Sequence, residues 1–441
     1  MILKPHKYQY GAARFMLHNP KSALFADPGT GKTAISLMVI WKLLQLGKLL
    51  KPVLITAPLR ITTQVWPEEI AKWDQFKNIT YRVLHGPDKW ELAKEPADIH
   101  LVNNEGLVKL LNQKISKQYR TLVIDESSKF KNWSADRTKA LRYRLRQFKR
   151  RHILTGSPAP KSLLDIFPQM FLTDAGKTLG RYISHFRMKY FENKGWGYPD
   201  WQIRPSADEE IYKSIAPSCY RLDGQQLLDL PEMIVNDIPI ILPKAILAQS
   251  LDLLKALDLN LPLSGSSEYM TARRLAGGCL ENKLAHDVKI KALRDLLDEL
   301  QGKPALIAFY YRWEGAYLTK LLKAPKIDGT TTAKESAALI EAWNDRKLPA
   351  LLVQPAAAGH GLNLQHGGND VVWFSFTYNQ DDYYQLNRRI WRQGVKGQVR
   401  IHRLIARNSV DVAMVRSLEA KTGQQKALLD AIKEIRENEP N

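Results

Sequence analysis

Short runs of apolar, often β-branched residues recur along the chain, each closed by Gly, Pro or a polar or acidic residue and followed by a stretch of mixed polarity. In the first third these runs are Ala23–Ala26, Val53–Ala57, Ile99–Val102, Thr121–Ile124 and His152–Thr155. In the last third they are Ala305–Phe309, Leu351–Val353, Val371–Phe374 and Val399–Leu404. A near-continuous apolar strand is buried on both faces, as in a parallel sheet covered by helices. Two such clusters predict two α/β lobes. Residues 160–300 lack this rhythm and read as mostly helical. The predicted division is a first lobe over 1–165, a mostly helical insertion and linker over 166–245, and a second lobe over 246–441.

Seven aromatic residues fall between Tyr182 and Trp201. They read as the aromatic core of a small helical subdomain, or, less economically, as a base-stacking surface. From Val410 to Glu437 an amphipathic helical pattern, interrupted at Gly423, places Leu418, Leu428, Leu429, Ile432 and Ile435 to pack back on the second lobe.

Composition narrows the class. With 44% hydrophobic and 25% charged residues over 441 positions, the chain has material for large cores, which excludes disorder as its main state. Ala34–Trp41 is stopped by Lys42, so no membrane span is predicted. The first seven residues hold no apolar signal core, which predicts a chain that is not secreted. Cys219 and Cys279, sixty residues apart, exclude a disulfide framework and a cysteine zinc site and fit a reducing cytosol. Lys and Arg number 65 against 45 Asp and Glu, and the resulting +20 favours a polyanionic partner.

The run ending at Ala26 enters Asp27-Pro28-Gly29-Thr30-Gly31-Lys32-Thr33, and a helical pattern follows to Gly47. This is a phosphate-binding loop between strand and helix, with Ala26 where the generic pattern has Gly. Its glycines let backbone N–H groups turn toward phosphates, Lys32 reaches the β- and γ-phosphates, and Thr33 offers a hydroxyl to Mg²⁺. Asp125 and Glu126 close the run Leu122–Ile124. A carboxylate there can hold Mg²⁺ through water, and its neighbour can activate the attacking water. Far along the chain, Arg389 and Arg392 are spaced to share a helical face and suit a triphosphate. Residues 137–151 carry eight positive and no negative side chains, either a solvated helix face or a phosphate contact.

Taken in order, these elements resemble superfamily-two helicases, and most of all the Swi/Snf-like branch of double-stranded DNA translocases. Residues 4–11 resemble the adenine-reading segment, with Gln9 as its glutamine. Residues 26–33 and 125–128 resemble motifs one and two, the latter ending in Ser128 where many members have His, Gln or Asp. Lys131-Asn132 resembles the Lys-Asn of the branch, Leu154–Pro158 motif three, Ala358–Leu364 with Gly361 motif five, and Gln385 with Arg389 and Arg392 motif six. Pro58, Arg60 and Thr62 resemble motif Ia, Asn103 and Asn104 motif Ib, and Gly329 and Thr330 their second-lobe counterpart. The resemblance implies two recombinase-A-like lobes binding ATP and Mg²⁺ in a cleft. Gln9, Asp27, Pro28, Gly29, Thr30, Gly31, Lys32, Thr33, Gly361 and Gln385 would hold nucleotide, with Thr33 and Asp125 toward the metal. Lys32, Asp125, Glu126, Arg389 and Arg392 would carry hydrolysis, and the Ia, Ib and second-lobe loops would hold DNA, duplex favoured, by its backbone.

The expected function is a DNA-dependent ATPase that translocates, in the cytoplasm of a bacterial or phage-infected cell, with a replication, recombination or nuclease protein as partner. A strand-separating or branch-migrating helicase shares the same ATP site. A nucleotide-regulated clamp with little turnover belongs to another class, and the retained Lys32, Glu126 and arginine pair argue against it. A P-loop enzyme acting on a small substrate leaves the second lobe and the charge unexplained.

Overall fold

The computed structural model describes residues 1–159, 162–195, 200–228, 230–255, 267–358, 362–377 and 379–420. The chain forms two units, Met1–Lys194 with Trp201–Leu228, and Asp229–Thr422.

In the first unit the strands are β1 (Lys21–Ala26), β2 (Val53–Ala57), β3 (Tyr81–Val83), β4 (Ile99–Asn103), β5 (Thr121–Asp125), β6 (Arg150–Thr155), the short antiparallel pair β7 (Phe191–Asn193) and β8 (Trp201–Ile203), and β9 (Cys219–Leu222). Seven of them form one sheet in the order β3-β4-β2-β5-β6-β1-β9, with every neighbouring pair parallel. Successive residues point to opposite faces. Ala23 and Phe25 of β1 therefore enter one core with Leu107, Leu141, Ile166 and Phe167. Leu24 and Ala26 enter the other with Ala12, Ile35, Ile40 and Trp66. Helices cover both faces, so the strands show no polar alternation.

The second unit holds β10 (Met233–Ile240), the small antiparallel pair β11 (Cys279–Leu280) and β12 (Lys283–Leu284), β13 (Ala305–Ala308), β14 (Lys326–Ile327), β15 (Ala350–Val353), β16 (Asp370–Trp373) and β17 (Val399–Ala406). Its six-stranded sheet runs β10-β17-β16-β13-β15-β14, again parallel throughout. Leu306, Leu351 and Val371 feed one core, while Ile307, Leu352 and Val372 feed the other. Both units are thus the covered parallel sheets that the apolar runs predict.

The segment expected as an insertion, 166–245, is divided between the units. Its helix Ile166–Asp174 buries Ile166, Phe167 and Met170 in the first core, and β9 pairs with β1. By contrast β10 pairs with β17. Both strands are sheet edges. β10 is largely exposed and carries Asn236, Asp237 and Pro239, so neither shows a long apolar run. The aromatic run also joins the first unit's core: Phe186 lies 5.0 Å from Phe167 and 5.2 Å from Tyr190, ring centre to ring centre. Trp196 and Tyr198 lie outside the described residues. A helix over 410–420 buries Leu418 in the second core, whereas Leu428, Leu429, Ile432 and Ile435 lie outside the described residues. No helix among the described residues is long and apolar enough to cross a membrane.

Candidate active site

Parallel strands place all their carboxyl ends on one edge, where ligands of open α/β sheets bind. In the first unit that edge carries residues 27–33 after β1, 125–128 after β5 and 155–158 at the end of β6. Gly29 (φ 89°) and Gly31 (φ 88°) sit in the left-handed region, so the chain turns tightly before the helix Lys32–Gln45 begins. Gly31 is doubly constrained, because a Cβ there would lie 2.4 Å from Gln9 Nε2. Thr30 closes the turn by donating its hydroxyl to Asp27 O at 2.7 Å. Lys32 Nζ folds back over the loop and donates to Ala26 O at 2.9 Å.

Two of the residues assigned to nucleotide also brace the loop. Asp27 is buried, and its Oδ1 accepts Arg221 Nη1 at 2.8 Å while its Oδ2 accepts Gly224 N at 3.0 Å. Gln9 donates from Nε2 to Thr30 O at 3.1 Å and accepts His6 N on Oε1 at 3.0 Å. Each bond uses one of the amide's two donors or two acceptor sites, so one donor and one acceptor remain for a base edge.

Asp125 is buried and accepts Trp66 Nε1 at 3.1 Å and the Glu126 N–H at 3.0 Å. Burial, then the neighbouring Glu126, hold its carboxyl above the usual carboxylate range; Lys32 acts in the opposite direction. Glu126 adopts φ 55°, ψ 54°, an uncommon conformation for a side-chain-bearing residue and one concentrated at functional sites. Its neighbour Ser127 donates to Gln169 Oε1 at 2.8 Å, and Gln169 Nε2 donates to Pro158 O at 2.5 Å and Asp165 O at 2.9 Å. Motifs two and three are therefore joined through Ser127 and Gln169. Ser128, which stands where many family members have His, Gln or Asp, does not make that link: its hydroxyl is buried without a hydrogen-bond partner. Gly156 packs against the ATP loop, where a Cβ would lie 3.2 Å from Pro28 Cδ.

In the second unit Gln385 and Arg389 lie on the helix Gln380–Ile390, but Arg392 lies beyond its C-cap at Trp391. The shared helical face expected of Arg389 and Arg392 is therefore not formed. Both arginines nevertheless meet the residues of motif five: Arg389 Nη1 donates to Leu362 O at 3.4 Å and Arg392 Nη1 to Asn363 Oδ1 at 2.8 Å. Gln385 is buried with Oε1 unpartnered. Gly361 lies outside the described residues.

Of the loops assigned to nucleic acid, several side chains are used internally. Thr62 is buried and donates to Leu59 O at 2.8 Å, and Thr56 Oγ1 donates to Asn104 Oδ1 at 3.0 Å. Asn103 caps its helix by accepting Gly106 N at 3.1 Å. Arg60 follows Pro58 and is half-buried, with burial pulling its guanidinium below its ordinary range against Glu68. Gly329 and Thr330 are exposed after β14, the Thr330 hydroxyl and N–H both donating to Asp328 at 2.6 Å and 2.9 Å.

Residues 8–188 match the model of the SNF2-related domain, and residues 288–394 match that of the helicase conserved C-terminal domain. Putative protein p41 of Acyrthosiphon pisum secondary endosymbiont phage 1 is 31% identical over 97% of this chain and 98% of its own. The chain belongs to the SNF2-related family. It is also 23% identical to the DNA repair and recombination protein RAD54B of Gallus gallus over 93% of this chain and 52% of the relative. With the DNA annealing helicase and endonuclease ZRANB3 of Homo sapiens it shares 24% identity over 87% of this chain, spanning 37% of that protein. Among solved structures, the Sulfolobus solfataricus SWI2/SNF2 ATPase core in complex with dsDNA is 22% identical, with 99% and 98% of the two chains covered and a TM-score of 0.46.

The residues present fit ATP and Mg²⁺. The loop turns through two left-handed glycines onto a helix N-terminus, the cradle a polyphosphate needs. Asp125 is a buried carboxylate at the carboxyl end of β5 beside Glu126, a hard oxygen donor of the kind Mg²⁺ takes. Arg221 and Gln169, which sequence reasoning missed, hold this cradle from outside the motifs.

Proposed function

We propose that this SNF2-family protein is a motor that hydrolyses ATP when bound to duplex or branched DNA and tracks along the phosphate backbone. The observation that supports it best is the convergence of residues 27–33, Asp125, Glu126 and the Ser127–Gln169–Pro158 bridge on one sheet edge. On binding, Lys32 leaves Ala26 O for the β- and γ-phosphates, and backbone N–H groups of residues 29–33 hold the phosphates. Thr33 and Asp125 would hold Mg²⁺, which would supply positive charge beside the phosphates. Glu126 orients the attacking water and accepts its proton. Arg389 and Arg392, pre-set by Leu362 and Asn363, stabilise the charge that develops, and Gln9 turns to adenine.

Pro58, Arg60, Thr62, Asn103, Asn104, Gly329 and Thr330 mark the loops that hold DNA. Because Thr62, Asn103 and Asn104 spend side-chain groups internally, these loops act through backbone N–H groups and Arg60, which grips phosphate without reading bases. The proposed setting is the cytoplasm of a bacterial or phage-infected cell, with a replication, recombination or nuclease protein as partner. The test is ATPase rate without nucleic acid and with single strands, duplex, branched DNA and RNA, alongside strand displacement. Strong stimulation by duplex without displacement is expected. Displacement would make it a strand-separating helicase, and negligible turnover on every substrate would make it a clamp.

A further inference from the structure

The amino ends of the first unit's strands share the edge opposite the ATP loop. β1 has six residues, so the two edges lie roughly 20 Å apart at about 3.3 Å per residue. At the amino-end edge, where β1 starts, β6 is entered and the helix Ile166–Asp174 ends, lies a cavity of about 270 Å³. Four cations line it, Lys21, Arg146, Lys149 and Arg151, beside the apolar Phe148. Its single carboxylate, Asp174, is already engaged by three backbone N–H groups, from Gly176 at 2.9 Å, Lys177 at 3.1 Å and Thr178 at 2.8 Å.

Arg151 is 3% exposed; its Nη1 donates to Leu145 O at 3.0 Å, while its Nε is buried without a hydrogen-bond partner. Lys21, Arg146 and Lys149 form no salt bridge among the described residues. Two other members of the basic run have other employment. Arg142 stacks on Trp133 at 3.4 Å, and Arg150 donates to Met16 O and Leu17 O at 2.8 Å and 3.2 Å. Asp174 offsets part of this charge through Arg151, but four cations facing one carboxylate leave a net positive concavity, and an anion relieves the remaining repulsion while satisfying guanidinium donors.

We propose that this cavity is a second phosphate site, taking one phosphodiester of a nucleic-acid segment on the side of the unit away from the ATP loop. The chain-wide excess of +20 favours a polyanion, and the motor reading above makes that polyanion nucleic acid. The proposal rests on the nucleic-acid reading above and adds a contact to it.

Arg146→Glu and Lys149→Glu, singly and together, change exposed residues, and Arg146→Gln with Lys149→Gln removes charge without reversing it. Binding is measured with a duplex several helical turns long over a salt series, and turnover at saturating duplex. The double charge reversal should lower affinity roughly tenfold or more and flatten the salt dependence by about 0.9 for each phosphate that is no longer neutralised. Turnover at saturating duplex should stay unchanged, and the Gln pair should lie between. Wild-type affinity and slope in the double variant would overturn the site. So would variants that lose binding to polyglutamate but not to duplex. Lost duplex binding in a protein whose ATPase ignores DNA would support the site while overturning the motor, and wild-type protein that binds no nucleic acid would overturn both.

Discussion

Arg221 Nη1 lies 2.8 Å from Asp27 Oδ1, joining an edge strand to the first residue of the ATP loop across 194 positions of sequence. Both side chains are almost fully buried, at 7% and 3% exposure. Removing one partner of a buried pair leaves the other charge uncompensated and costs about 3–5 kcal/mol. Arg221→Ala is expected to destabilise the first unit by about that amount in denaturant unfolding and to weaken nucleotide binding. Asp27→Ala with Arg221→Ala should be less damaging than the sum of the singles. Additive losses would mean that the pair does not position the loop.

Lys32 and Glu126 should fail differently. In the proposed mechanism Lys32 addresses phosphate already in the ground state, so Lys32→Ala should weaken nucleotide binding. Glu126 would act only when water attacks, so Glu126→Gln should keep nucleotide bound while lowering turnover by about 10² or more. Equilibrium nucleotide binding and single-turnover hydrolysis separate the two. Near-normal turnover in Glu126→Gln would reassign the water-activating group.

Gln169 is fully buried, and its amide serves three partners, from Ser127 to Pro158 and Asp165. Gln169→Leu keeps much of the bulk but leaves those groups unpaired, at about 1–3 kcal/mol for a buried orphan. Turnover should fall more than nucleotide affinity, because the bridge connects the Glu126 neighbourhood to motif three. Equal losses in both, or none, would reduce Gln169 to a packing residue.

The ATP loop was legible because its chemistry is contiguous: two glycines, Lys32 and Thr33 lie within five residues after an apolar run. Strands buried on both faces were legible for the same reason. Arg221 and Gln169 were not, since each meets its partner only through the fold, 194 and 42 residues away. The edge strands β9 and β10 lack the apolar signature because one side meets no neighbour. Arg392 was misread because a polar stretch carries no periodic mark of where its helix ends; the helix stops at Ile390.

His152 is buried between Ser22 and Arg150. Arg150 can only donate, so His152 Nε2 is the acceptor at 3.4 Å and Nδ1 carries the proton toward Ser22 Oγ at 2.8 Å. Burial, and secondarily Arg150, lower its pKa from 6.5 to about 3. A depressed folded value means that stability is full above the unfolded pKa and declines as pH falls below it, by at most about 1.4 kcal/mol per pH unit. Urea midpoints at about pH 7 and about pH 5 should differ less in His152→Gln than in wild type. An identical difference would exclude His152 as a source of acid sensitivity.

Arg389 and Arg392 carry the prediction that depends most on the motor reading proposed above. Although Arg392 has left the helix, both arginines are tied to consecutive residues, Leu362 and Asn363. A positive charge presented to a transferring phosphoryl group is worth about 10³ to 10⁵ in rate where it has been isolated. Arg389→Ala and Arg392→Ala should therefore keep folding and DNA affinity yet lose most DNA-stimulated turnover, whatever the DNA concentration. Asn363→Ala, which only loosens Arg392, should lose less than Arg392→Ala. If the arginines instead grip DNA, turnover returns when duplex is raised to saturation. Full recovery in both variants would move the pair from the ATP site to the nucleic-acid path.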